Sequence, residues 1–70
     1  MVITMTEQEL MDSFEGDYRY GTEVGGYLIK GDYLTEEEEV WVVRYPSGGW
    51  DVFRDLSQAV DVLRKAGVVT

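Results

Sequence analysis

Val40-Trp41-Val42-Val43-Arg44-Tyr45-Pro46-Ser47-Gly48-Gly49-Trp50-Asp51-Val52-Phe53-Arg54 is the stretch whose reading decides the fold. Val40 to Tyr45 and Trp50 to Arg54 are rich in β-branched and aromatic residues, which suit a pleated surface. Pro46-Ser47-Gly48-Gly49 between them supplies residues able to turn the chain and take positive φ, so the whole reads as a β-hairpin. Counted as two residues or as four, the loop sets Tyr45 opposite Trp50. Arg44 then pairs with Asp51, Val43 with Val52, Val42 with Phe53 and Trp41 with Arg54. That register collects Val40, Val42 and Phe53 on one face beside an Arg44–Asp51 charge pair. The other face holds Trp41, Val43, Tyr45, Trp50 and Val52. Both faces are apolar, so helices covering one side alone would leave apolar surface exposed.

Downstream of the hairpin, Asp55-Leu56-Ser57-Gln58 has a capping-box pattern, and Leu56, Ala59, Val60 and Leu63 follow the spacing of one buried stripe. Arg64 and Lys65 suit the negative end of the helix dipole. Gly67 is a left-handed cap, with Val68 folding back on Leu63. A helix over 56–66 is expected. Upstream, Thr6-Glu7-Gln8-Glu9 is a second capping box, Met5 and Leu10 occupy the staple positions, and Gly16 is a stop, which predicts a helix over 7–15. Between helix and hairpin, Asp17-Tyr18-Arg19-Tyr20 alternates as a strand, Gly21 to Gly26 turns, and Gly26 to Lys30 forms another strand before Gly31-Asp32. The expected fold is α+β: residues 1–70 as a single domain, with a small antiparallel sheet of three to four strands flanked by an N-terminal and a C-terminal helix.

Charge divides the chain differently. Eleven carboxylates and two bases in residues 1–39 give −9, while three carboxylates and four bases from Val40 onward give +1. A field of that sign repels nucleic acid and anionic membrane and attracts basic surfaces. Cysteine and histidine are both absent, which removes disulfides, zinc-thiolate sites and the side chain best suited to proton transfer near neutral pH. No nucleophile–base pair, phosphate loop or metal cluster is legible, so no catalytic residue, metal or cofactor is expected. The apolar fraction of 44% is that of a folding chain rather than a disordered tail. Met1 to Met5 lacks the basic and long apolar regions of a secretory signal, no window has the roughly 20 apolar residues of a membrane span, and a cytoplasmic protein is expected.

Glu36-Glu37-Glu38-Glu39 is the one low-complexity element. It reads either as a solvated loop or, because it runs into Val40 to Tyr45, as carboxylates held on an extended strand. Alternate side chains would then recur at roughly 6.8 Å, close to the spacing of successive phosphates. Glu37 and Glu39 would imitate a phosphate row, with Asp32 and Glu23 alongside. Calcium is a poor fit, since the Asp-x-Asp-x-Asp-Gly pattern is missing. Most of the aromatic residues are expected in the core, and Trp41, Tyr45 and Trp50 are the candidates for a contact patch. Aromatics without a basic patch argue against direct nucleic-acid binding.

In size, acidity and layout, with Asp32 and Glu36 to Glu39 set against the compact aromatic hairpin Trp41 to Trp50, the chain resembles the small phage-encoded inhibitors of host defence. These are the anti-CRISPR and anti-restriction proteins, several of which mimic DNA. The resemblance implies a stoichiometric inhibitor, acting in a bacterial host cell, that covers the nucleic-acid-binding surface of a CRISPR effector or nuclease. The alternative is a small structural or assembly module that self-associates through its apolar aromatic hairpin face; on the first reading the chain is expected to be a monomer or weak dimer.

Overall fold

The computed structural model describes residues 4–16 and 19–70. Its elements are α1 (Glu7–Ser13), β1 (Thr22–Val24), β2 (Tyr27–Tyr33), β3 (Glu39–Arg44), β4 (Trp50–Phe53) and α2 (Leu56–Lys65). The strands form one antiparallel sheet in the order β1-β2-β3-β4, each paired with its sequence neighbour. This is the expected α+β fold, a four-stranded sheet flanked by one helix near each end of the chain.

The first hairpin differs from the expectation. The turn is confined to Gly25-Gly26, both at positive φ, and joins Val24 to Tyr27 directly. Two successive left-handed residues make the tight turn whose twist matches that of the flanking strands. Thr22–Val24, expected as part of the turn, is therefore β1. The strand expected over Asp17–Tyr20 is not found as such. Asp17 and Tyr18 lie outside the described residues, and Arg19-Tyr20 form a turn and bend. Beyond the expected end at Lys30, β2 continues through Gly31 and Asp32 to Tyr33, because β3 offers partners as far as Glu39.

The second hairpin forms where expected but in a different register. The Tyr45 amide donates to the Gly49 carbonyl (2.8 Å) and the Gly48 amide to the Tyr45 carbonyl (3.0 Å). The loop is thus the three residues Pro46-Ser47-Gly48, a turn followed by a left-handed residue, with Gly48 at φ 103°. An odd loop shifts the pairing by one. Arg44 faces Trp50, Val43 faces Asp51, Val42 faces Val52 and Trp41 faces Phe53. With a side-chain period of two, this one-residue slip moves every β4 side chain to the opposite face from the one expected.

α1 begins on the expected capping box. The Glu9 amide donates to Thr6 Oγ1 and the Thr6 amide to Glu9 Oε1, each at 3.1 Å. It ends at Ser13 rather than at 15, where the Ser13 hydroxyl bonds the Leu10 carbonyl and Thr22 Oγ1 and so draws the chain toward β1. α2 starts at Asp55, whose side chain makes no cap bond, so the second capping box does not form. Its C-terminus is as expected: the Val68 amide reaches the Leu63 carbonyl (3.1 Å) and Gly67 reaches Arg64 (3.0 Å), the Schellman pattern. Met5 lies parallel to Val69, with hydrogen bonds of 2.9 Å from Met5 to Val68 and from Thr70 to Met5.

Leu10, Val24, Ile29, Val43, Ala59, Val60, Leu63, Val68 and Val69 form the buried core. Its sheet members lie on one face, so both helices cover that face. The core is aliphatic. Phe14, Tyr27, Trp41, Tyr45 and Phe53 form a half-buried shell around it, which places aromatics at the border of the core more than at its centre.

Gly21 and Gly48 both take positive φ, but a Cβ at Gly21 would lie 2.9 Å from Lys30 Cβ and 3.0 Å from the Ile29 carbonyl, whereas Gly48 has open space. Gly48→Ala is expected to lower unfolding free energy by about 1 kcal/mol from backbone strain alone, and Gly21→Ala by about 3 kcal/mol from strain plus overlap. Urea denaturation followed by tryptophan emission measures both.

Candidate functional site

Because side chains alternate along each strand and align across it, the register defines the second face of the sheet row by row. One row is Glu23, Leu28, Arg44 and Trp50. The next is Lys30, Val42 and Val52, and the third is Asp32 and Val40. Neither α1 nor α2 covers this face. Trp50 is 65% exposed, Val52 52% and Leu34, in the following loop, 63%. Val40 is only 4% exposed yet stands outside the core cluster, at the floor of a shallow depression of about 430 Å³ lined by Val42, Val52, Trp50, Leu34, Lys30 and Arg44 among others. Lys30 and Arg44 take part in none of the ion pairs found among the described residues. The exposed face therefore carries Glu23 and Arg44 in its first row, Lys30 beside Val42 and Val52 in its second, and Asp32 beside Val40 in its third.

The glutamate run does not extend β3 as expected. Thr35 Oγ1 accepts from the Glu37 amide (3.3 Å) and the Glu38 amide (3.1 Å), and the Leu34 amide donates to the Glu38 carbonyl (2.8 Å). A threonine hydroxyl satisfying two successive amides folds the backbone into a turn and competes with extension. Only Glu39 lies on the strand, and its partner Tyr33 places it on the helix-covered side, opposite to Asp32. The regular row of strand-held carboxylates is not formed. What forms is a set of exposed carboxylates at one end of the sheet, Glu36 to Glu39 on the turn and strand start and Asp32 on the opposite face from Glu39, with Arg54 3.9 Å from Glu38. Glu23 does not join it. Its row and that of Asp32 are separated by four residues of β2, roughly 13 Å.

The three-ring patch is likewise dispersed. Trp41 packs on Phe14 (centroids 5.0 Å apart) and Tyr45 meets Tyr27 edge to face at 5.9 Å, both on the helix side. Trp50 lies on the opposite face. Asp51, expected beside Arg44, instead accepts the Tyr45 hydroxyl. That bond and the adjacent carboxylate, together with partial burial, raise the Tyr45 pKa above its ordinary value. The residues missed were Lys30, Leu34, Val42, Arg44 and Val52. Val40-x-Val42-x-Arg44 was legible as one face, and an odd loop length was the missing signal.

Among the described residues, no group of three or more carboxylates is placed to hold a metal ion, and no helix is long and apolar enough to cross a membrane. Comparison with known proteins gives no match: no family model fits the chain, and no curated protein or solved structure is significantly similar to it.

Two outcomes follow from this geometry. Trp41→Ala is expected to cost about 2 kcal/mol of stability through lost ring packing, and Trp50→Ala less than about 0.5 kcal/mol, as for a surface site; paired denaturation curves separate them. In an ultraviolet titration of the phenols, Tyr45 should ionise above the ordinary value of 10.0, and Asp51→Asn should lower it. The sign is that of an acid held protonated by the fold: its contribution to stability is present below the unfolded pKa and is lost as pH rises through the folded one.

Proposed function

We propose that this chain is a stoichiometric, non-catalytic binding protein that occupies a basic protein surface of the kind that otherwise holds nucleic acid. The supporting observation is the distribution of charge. Arg54, Arg64 and Lys65 each lie beside a carboxylate of the protein itself, Arg64 between Glu7 and Asp61 and Lys65 at 3.0 Å from Asp61. Asp32 and Glu36 to Glu39 gather at one end of the sheet, all exposed, on a molecule of net charge −8. Such a field steers association with basic partners and disfavours acidic ones. Because the cluster is folded on a turn, it suits a pocket or patch of lysines and arginines better than a groove that reads evenly spaced phosphates. A nuclease or CRISPR effector fits that description.

The run also sets a trade of stability against binding. Four adjacent carboxylates repel one another with one arginine nearby. Changing Glu36 to Glu39 together to glutamine should therefore raise the melting temperature slightly, by about 1–3 °C for a domain of this size. The same variant should lose at least about tenfold in affinity for the partner, at about 1.4 kcal/mol per tenfold, and should no longer compete with DNA or RNA. Wild-type affinity should fall steeply between about 50 and 300 mM salt. Unchanged affinity and unchanged competition in the glutamine variant would refute the proposal.

A further inference from the structure

We infer that the uncovered sheet face is a docking surface for a second copy of this chain, stacked face to face about a two-fold axis that crosses the strands. The charges on the face carry this assignment. Glu23, Lys30, Asp32 and Arg44 sum to zero, although the molecule as a whole carries −8. They are also ordered: Lys30 and Asp32 lie two residues apart on β2, with Val42 beside one and Val40 beside the other. A two-fold axis between the Lys30 row and the Asp32 row reverses one face over the other. Lys30 of each copy then lies over Asp32 of the other, and the Arg44 end lies over the acidic end. Opposite charges meet at both symmetric Lys30–Asp32 positions, and Val40 and Val42 of one copy lie over Val42 and Val40 of the other. A different acidic protein would meet Asp32 unpaired, and a basic one would meet Lys30 and Arg44. A second copy satisfies both signs at once.

Size sets the strength. Four strands about 4.8 Å apart and up to seven residues long give a footprint of roughly 400 Å², about half of the roughly 800 Å² per partner in a standard interface. The expected dimer is weak, with a dissociation constant on the order of 100 µM. This dimer shares Asp32 and the acidic end of the sheet with the proposed function, so a second copy and a basic partner would compete for that end.

Sedimentation equilibrium from about 10 µM to about 1 mM, a span bracketing that constant, tests it. Wild type should pass from the 8.0 kDa monomer mass toward twice that value. Lys30→Glu alone and Asp32→Lys alone should each remain monomeric, since each sets like charges together at both positions. An equimolar mixture of the two should dimerise at least as well as wild type, because both positions are again paired. Val52→Glu, at an exposed site, should be monomeric with an unchanged circular dichroism spectrum. Several results would each overturn the inference: a wild type that stays monomeric throughout, single variants that dimerise like wild type, a mixture of folded variants that stays monomeric, or growth past the dimer. An apolar or acidic peptide binding the face of a monomeric wild type would also overturn it and assign the face to another occupant. The four-glutamine variant keeps the Lys30–Asp32 pairs and should still dimerise, so its loss of partner binding would not be a loss of the dimer.

Discussion

The pair of hydrogen bonds that joins Tyr45 to Gly48 and Gly49 determines most of what the protein presents to solvent. Because these bonds enclose three residues, β4 is set one position away from where a loop of two or four would set it. That single residue decides which half of an alternating sequence faces the helices. In the observed register Phe53 enters the shell around the core, Asp51 reaches Tyr45, and Trp50 and Val52 stay outside. The other parity would have buried Trp50 and Val52 on the helix side and left Phe53 exposed. Pro46 and Gly48 therefore act on the surface at a distance from themselves: proline presets the first turn position, and glycine takes the left-handed position that closes the odd loop.

Devices with both partners within a few residues of sequence were legible. The Thr6–Glu9 box and the Gly67 cap with Val68 over Leu63 are of this kind, since each is defined by short-range geometry that the residue types themselves specify. The α+β class and the faces of β3 were legible for the same reason. Register was not, because even and odd loops are both compatible with Pro-Ser-Gly-Gly and differ by the placement of one positive φ. The glutamate run misled because its continuity with Val40 suggested extension, whereas the Thr35 hydroxyl just before it captures two of its amides. Asp55 misled in the opposite way. The pattern was present, but α2 begins without its side chain. The pairing of Met5 with Val69 was beyond any local reading, since it joins the two ends of the described chain.

Of the candidate site, the acidic residues were identified by type but not by arrangement. Asp32 and Glu36 to Glu39 lie at the same end of the sheet, with Asp32 and Glu39 on opposite faces, Glu23 is distant, and Trp41, Tyr45 and Trp50 are distributed over two faces. Most of the negative charge is thereby set apart from the apolar surface. The carboxylates are concentrated in a turn and at the sheet's end, where repulsion is relieved by water, and the uncovered rows are left close to neutral. This arrangement follows from the alternation itself: Lys30, Asp32 and Arg44 occupy positions of the same parity as Val40 and Val42, so the face that lacks a helix also carries the charges that limit its apolar width.

An uncovered sheet face on so small a protein raises the question of what limits its association. Edge strands are one route to open-ended assembly, and here both edges are short: β1 has three residues and β4 four, the latter carrying Asp51 and followed by Arg54. The face is the other route. A contact between two different surfaces repeats without end, but a two-fold contact between identical faces consumes both and stops at two. The reversed order of Lys30 and Asp32 under such an axis favours this closed arrangement over a face-to-face pair whose strands run in the same direction. Like charges would meet in that parallel arrangement, and the acidic clusters of neighbouring copies would coincide. The net charge of −8 adds a repulsion between copies that growth beyond a pair would have to overcome.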